Sequence, residues 1–294
     1  MAGVEITLNA FAKLNLYLEV LRRREDGYHD IRSLMLSVDL ADTVGICDAP
    51  SGISVEADAP GVPSGSENLC WKAADALRRY AGVRRGAEVR LVKRIPAAAG
   101  LGGGSSDAAS TLVGLNKLWG LGLTEAQLAA VAAGVGSDVP FFLRGGLQLA
   151  EARGNRLTPL EGTPAARFVV AVPDLEVSAA WAYGALKMGL TSATRVTRMR
   201  LLRTSLDADG VTEILHNDLE RGVEESHPVV RRLKDDLRAR GALGCLMSGS
   251  GPAVFGVVRD EVSATSIASA VRRAGVSTFA VGPVRSGWSG TERA

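Results

Sequence analysis

Little in this sequence is of the kind that staples or anchors a protein. It has three cysteines, Cys47, Cys70 and Cys245, far apart and odd in number. They make neither a disulfide framework nor a CxxC-type metal site, and they read as buried or half-buried thiols in a reducing compartment. No stretch approaches the ~20 apolar residues that a bilayer crossing needs. The opening Met1-Ala2-Gly3-Val4-Glu5 lacks the basic and apolar regions of a signal peptide. The expectation is a soluble, cytoplasmic protein with no membrane partner. Charge of one sign is also missing: 34 basic residues face 32 acidic ones, for a net +2. That balance argues against a dedicated nucleic-acid binder and leaves room only for a local anion site.

What is present is a chain of 294 residues, enough for one large domain or two ordinary ones. From Ile6 to Val20 every even position is apolar, while the odd positions include Lys13 and Asn15. Period two predicts a strand, or two strands meeting at a bend, with one face in a core. Lys13 and Asn15 then project side by side from the other face. Arg22 to Tyr28 reads as a polar hairpin turn around Asp26-Gly27. Residues 31 to 47 return as strand, followed by a Pro- and Gly-rich stretch around a short run at Ile53 to Ala57. Asn68 to Tyr80 has helical spacing and Gly82 as a stop, and Ala87 to Ile95 is a strand. Phe168 to Val172, Cys245 to Met247, Ala253 to Val258 and Ser277 to Val281 read as strands. Ala179 to Met188, Val229 to Arg240 and Val262 to Ala274 read as helices. Gly154, Pro159, Gly162 and Pro164 mark a candidate boundary near residues 155 to 165.

The most informative segment joins the strand ending at Ile95 to a helix marked by Ala108, Leu112, Leu115 and Trp119. It runs Pro96-Ala97-Ala98-Ala99-Gly100-Leu101-Gly102-Gly103-Gly104-Ser105-Ser106. Glycines at 100, 102, 103 and 104 remove the side chains that would hold a ligand away from backbone N–H groups. Two hydroxyls and the positive end of a helix follow. Orphan N–H donors and the helix dipole together make an anion site, most naturally for nucleotide phosphates. The chain contains no Gly-Lys dipeptide, so this is not a Walker A loop. Counting from Gly100 puts Ser105 where a dinucleotide fingerprint needs its third glycine.

Other candidates have two readings each. Asp138, in Gly136-Ser137-Asp138-Val139-Pro140-Phe141-Phe142, either caps the next helical turn or offers a carboxylate beside the phosphates. Lys13 is either an outward strand residue or a partner of Asn15 in a site. Tyr28 and His29 follow a turn, where a histidine can be incidental. Ser248-Gly249-Ser250-Gly251-Pro252 is an ordinary hairpin or a second anion-facing turn. The run Arg195, Arg198, Arg200, Arg203 reads as a solvated face.

Taken together, Ala12-Lys13-Leu14-Asn15-Leu16, Asp26-Gly27-Tyr28-His29, the glycine loop with Lys93 before it, the segment around Asp138, Asn217-Asp218-Leu219-Glu220 and Met247 to Pro252 resemble the GHMP kinases. The resemblance spans roughly residues 10 to 255. Within that family it is nearest to the members acting on a diphosphocytidyl sugar alcohol. It implies a two-domain α+β fold: an N-terminal domain (residues 1–158) like domain 2 of ribosomal protein S5, and a ferredoxin-like C-terminal domain (159–294), with the site between them.

The resemblance also implies ATP and Mg2+ as co-substrate and cofactor, and phosphoryl transfer to the C2 hydroxyl of a cytidine diphosphate-linked methylerythritol. Asp138 and Lys13 would be catalytic, and Asn15, Tyr28, His29 and Asp138 would hold the acceptor. The loop residues 96 to 106, with Asn68 and Lys93, would bind ATP. A monomer or weak homodimer is expected. Ala179 stands where relatives often carry threonine, so a hydroxyl contact there is not expected. The alternatives are a GHMP kinase for homoserine or mevalonate, a non-catalytic RNA-binding protein with the S5-like fold, and a silent ATP-binding regulator.

Overall fold

The alternation at the start of the chain becomes a single long strand, β1 (Glu5–Arg23), in a computed structural model that describes residues 5–186 and 206–293. β1 folds back antiparallel on β2 (His29–Ala49) through the Asp26-Gly27 turn, where Gly27 takes φ +83°. Its register shifts between Phe11 and Ala12, and that bulge explains a burial pattern simple alternation does not predict. Before it, Ile6, Leu8 and Ala10 pack into a core with helices; after it, Ala12, Leu14 and Leu16 pack against the second sheet. The opposite face beyond the bulge carries Lys13 and Asn15, which are also buried.

Along the chain follow β3 (Ile53–Ala57), α1 (Leu69–Ala81), β4 (Gly86–Val92), α2 (Gly103–Leu118), α3 (Glu125–Val135), α4 (Val139–Arg144), β5 (Leu147–Ala152) and β6 (Arg156–Pro159). α1 has the expected ends: Asn68 caps its N-terminus and Gly82 closes it at φ +66°. The Thr124-Gln127 capping box opens α3. β4 stops earlier than expected, at Val92. The buried carboxylate of Asp42 on β2 accepts the N–H groups of Arg94 (2.5 Å) and Ile95 (2.8 Å), drawing the chain out of the ladder.

The rest comprises β7 (Arg167–Pro173), α5 (Ala179–Gly184), α6 (Ala208–Glu213), β8 (His216–Asn217), α7 (Glu220–Ser226), α8 (Pro228–Ala239), β9 (Gly244–Met247), β10 (Val254–Val258), α9 (Glu261–Val271), β11 (Val276–Val281) and β12 (Trp288–Arg293). The expected helix from Ala179 appears as α5; residues 187–188 and the arginine run from Arg195 to Arg203 lie outside the described residues.

Two sheets form among the described residues, and the fold is α+β. One has the order β12-β1-β2-β4-β3, with β5 and β8 added to β2 and β1, and β6 to β5. The other is antiparallel with the order β11-β7-β10-β9. In chain order that is 4-1-3-2, the ferredoxin-like arrangement. Val230, Leu233 and Leu237 of α8 and Ile267 and Val271 of α9 cover one of its faces. Its other face, with Phe168, Val170 and Phe255, meets the second half of β1. The cysteines are unpaired; burial pushes the Cys70 thiol far up and that of Cys245 to about 11, so both are inert at neutral pH.

Candidate active site

A cavity of about 1010 Å³ lies where β1, the β1–β2 turn, the glycine segment, the start of α4 and α5 converge. The glycine segment enters it with less loop and more helix than the sequence suggested. Gly102, at φ +75°, is the N-cap of α2, so Gly103, Gly104 and Ser105 form its first turn. No side chain caps this helix. Its first N–H groups lack intrahelical acceptors, and these three residues line the cavity. Pro96 to Gly100 line it as well, but Leu101 and Ser106 turn inward, 1% and 0% exposed. Leu101 instead ties the loop to β1 by accepting the Lys13 N–H at 2.9 Å. The Ser106 and Ser110 hydroxyls are buried without a hydrogen-bond partner.

Gly100 shows why the loop needs glycine. At φ +77°, a methyl there would lie 2.1 Å from the Ser248 carbonyl oxygen. The Ser248 to Pro252 turn is therefore more than a hairpin link, because it clamps the first glycine loop. The Ser248 hydroxyl donates to the Gly100 carbonyl (3.1 Å) and accepts from the Asn15 N–H (3.3 Å), while Ala253 N–H donates to the Ala99 carbonyl (3.2 Å).

Asp138 begins α4 without making the cap hydrogen bond that was one of its two readings. Its side chain is 41% exposed and lines the cavity, 4.0 Å from Lys13 Nζ. Lys13 is 3% exposed and donates to Asn15 Oδ1. Burial pulls its pKa down, and the Asp138 charge opposes that shift. Asn15 is fixed in turn by donating to the Ser33 hydroxyl at 2.8 Å. The result is a partly hydrated carboxylate facing a held, desolvated ammonium, both beside an uncapped helix start.

Tyr28 and His29 line the same cavity. Tyr28 is 54% exposed with the Arg153 guanidinium 4.9 Å from its ring centroid. His29 stacks on Tyr183 of α5 with centroids 5.0 Å apart. Burial raises the Tyr183 pKa, and Asp138 adds to that shift. Ala179, also on α5, lines the cavity with only a methyl group.

Asn68 and Lys93 line the cavity too, but both are engaged elsewhere. Asn68 accepts the Cys70 N–H (2.7 Å) and donates to the Pro63 carbonyl (2.7 Å). Lys93 Nζ bonds Asp42 and Asp107, two buried carboxylates on one ammonium. Desolvation raises the Asp107 pKa to about 7 despite that ammonium.

Sequence reasoning missed Tyr183, Arg23, Arg153 and Asp42 as participants in this region, and it gave Asp107, at the end of the glycine segment, no role. No spacing rule connects them to the motifs, because strand pairing and α5 packing bring them there. Asp107, directly after the two loop serines, was the one with a usable signal.

Two family models match the chain: GHMP kinases N terminal domain over residues 68–146 and GHMP kinases C terminal over residues 199–277. A protein of Geobacter sulfurreducens, 4-diphosphocytidyl-2-C-methyl-D-erythritol kinase, is 45% identical over 270 residues, which is 91% of this chain and 95% of that protein. The crystal structure of a 4-(cytidine 5'-diphospho)-2C-methyl-D-erythritol kinase superposes with a TM-score of 0.77 at 36% identity, covering 94% of this chain and 99% of that one. Homoserine kinase from Cytophaga hutchinsonii superposes with a TM-score of 0.80 over 98% of this chain and 97% of that one, but at 20% identity it speaks for the fold alone.

Proposed function

The chain belongs to the GHMP kinases, and from that membership we propose the reaction its cavity carries out. It is an ATP-dependent kinase that phosphorylates the C2 hydroxyl of 4-diphosphocytidyl-2-C-methyl-D-erythritol, giving the 2-phosphate and ADP, a step of non-mevalonate isoprenoid precursor synthesis. Identity of 40 to 45% to several kinases of that name over most of the chain supports the choice of acceptor.

The observation that carries the reading is Asp138 beside Lys13 in the same cavity as the uncapped start of α2. The N–H groups of Gly103, Gly104 and Ser105 hold the triphosphate and take up charge as the γ-phosphoryl departs. Asp138 orients the acceptor hydroxyl and takes its proton late, as charge builds on the attacking oxygen. A carboxylate is far too weak a base to deprotonate an alcohol beforehand. Lys13 stabilises both the carboxylate and the alkoxide character of the hydroxyl. Asn15 holds Lys13 in place, and Tyr28, His29 and Tyr183 supply flat surfaces for the cytosine, a contact of ~1–3 kcal/mol per base.

Asn68 and Lys93 serve the nucleoside end of ATP. Because their own bonds occupy them, they shape that end of the cavity more than they reach into it.

Magnesium fits as an ion carried mainly by the triphosphate. Among the described residues no group of three His, Cys, Asp or Glu side chains could hold a metal, and Mg2+ commonly binds through substrate phosphates with few protein ligands. The Ser105 hydroxyl is the donor this loop would offer. When bound, the ion neutralises charge on the β- and γ-phosphate oxygens.

The protein acts on a small molecule in the cytoplasm, without nucleic acid, as a monomer or weak homodimer. No helix among the described residues is long and apolar enough to cross a membrane. The division into residues 1–158 and 159–294 keeps the ferredoxin-like sheet whole, with β8 and β12 returning from the second part to the first sheet.

Parallel assays with the cytidylyl alcohol, homoserine and mevalonate test the reading. We expect turnover at least 10³-fold higher in kcat/KM for the cytidylyl alcohol, as befits a site built to hydrogen-bond its substrate. Preferred phosphorylation of either other alcohol, or none of the three, would overturn it.

A further inference from the structure

Among the described residues, four lysines and arginines line the cavity: Lys13, Lys93, Arg23 and Arg153. The two lysines have carboxylates, Asp138 at 4.0 Å for Lys13, and Asp42 with Asp107 for Lys93. The two arginines do not: among the described residues neither has an ion-pair partner. Their neighbours make the contrast sharp. Arg22 pairs with Asp30 at 2.6 Å, Arg24 with Asp26 and Asp30 at 3.0 Å, and Arg32 with Glu19 at 3.3 Å. Asp26 and Asp30 are thus engaged by other arginines; Arg153 acts on the Asp26 charge without an ion pair to it, and Arg23 and Arg153 both line the cavity.

Their placement is specific. Arg23 is the cross-strand partner of His29 in the β1–β2 hairpin. Arg153 sits in the tight turn between β5 and β6, where Ala152 takes φ +58° and Gly154 φ +93°, and its guanidinium lies over Tyr28. One arginine therefore adjoins each member of the Tyr28-His29 pair. A guanidinium presents a planar fork of donors that matches phosphate oxygens. The uncapped start of α2 is a separate element of the cavity lining from the β1–β2 hairpin and the β5–β6 turn that carry these two.

We propose that Arg23 and Arg153 form a diphosphate subsite on the acceptor side, gripping the pyrophosphate that links nucleoside and alcohol while the base rests on Tyr28 and His29. This rests on the acceptor being a cytidine diphosphate ester, as argued above. The arginines discriminate a nucleoside diphosphate from a bare nucleoside and leave ATP to the glycine loop.

Calorimetric binding of CDP and of cytidine to the full chain tests this without requiring turnover. The double variant Arg23→Gln/Arg153→Gln should lose at least tenfold in CDP affinity and less than twofold in cytidine affinity. Its salt dependence of CDP binding should flatten, because fewer phosphate charges are neutralised. Arg153→Lys on the wild-type background should hold more CDP affinity than Arg153→Gln. An ATP affinity within twofold of wild type shows that the double variant is folded. Equal loss for CDP and cytidine would mean the arginines only support the aromatic pair, and would overturn the proposal, as would unchanged CDP binding. The assay with three alcohols judges the reaction separately, so a wrong acceptor and a wrong subsite give different results.

Discussion

Neighbouring glycines of one loop do different work. Gly102 needs its missing side chain for the backbone: at φ +75°, a methyl would stand 2.6 Å from Phe142 Cζ. Gly104 has no such constraint, since a methyl there would meet only Leu69 Cδ1, at an ordinary 3.7 Å. Gly104→Ala should therefore leave the melting temperature unchanged or higher, because alanine favours a helix by roughly 0.5–1 kcal/mol. It should raise the KM for ATP several-fold by crowding the first-turn N–H groups. Gly102→Ala should lower the melting temperature, as a left-handed position costs alanine ~1–2 kcal/mol before any clash. Thermal melts and ATP titrations of the two variants check both statements; an unchanged KM in Gly104→Ala would count against the cradle. The sequence marked the loop through its glycine density but could not divide the glycines between these roles. The same limit applied to Asp138, whose capping and cavity-facing readings differ only by a hydrogen bond that the structure shows to be missing.

Elements were legible where a local period or cap determined them. β1 shows its alternation, α1 and α3 their caps, and the β1–β2 turn its Asp-Gly pair. Elements defined by a distant partner were not. β5 and β6 add to the long hairpin, and β12, with Gly290 in its middle, is a strand because β1 offers it an edge. The end of β4 was missed for a related reason, since a carboxylate from β2 competes for its N–H groups. The second glycine turn is also held from a distance. The Asn217 amide, on β8, donates to the carbonyls of Met247 (2.8 Å) and Gly249 (2.7 Å), and its oxygen accepts the Leu219 N–H (3.0 Å). A methyl on Gly249 would lie 3.0 Å from both Lys13 Nζ and Asn15 Oδ1, so this turn walls the Lys13 pocket. Asn217→Ala should cost about 1–3 kcal/mol, the penalty for unsatisfied buried groups. It should lower kcat more than it raises either KM. Denaturant melts with steady-state kinetics read this, and a stability loss with kcat intact would confine Asn217 to the fold.

At the scale of the whole molecule, the site exists because β1, a strand of one sheet, packs against the face of the other. Its first half packs with the helices, its second half lies on the ferredoxin-like sheet, and the bulge between them turns Lys13 and Asn15 toward the glycine loop. Motifs far apart in the chain thus converge on one cavity, which explains why their combination was informative when each alone was ambiguous. The convergence matters chemically only if the carboxylate at its centre handles the acceptor proton. The most direct measurement is the steady-state kinetics of Asp138→Asn with the cytidylyl alcohol. We expect kcat to fall by ~10²–10⁴-fold with the KM for ATP within twofold of wild type. A kcat equal to that of the unaltered protein would contradict the account.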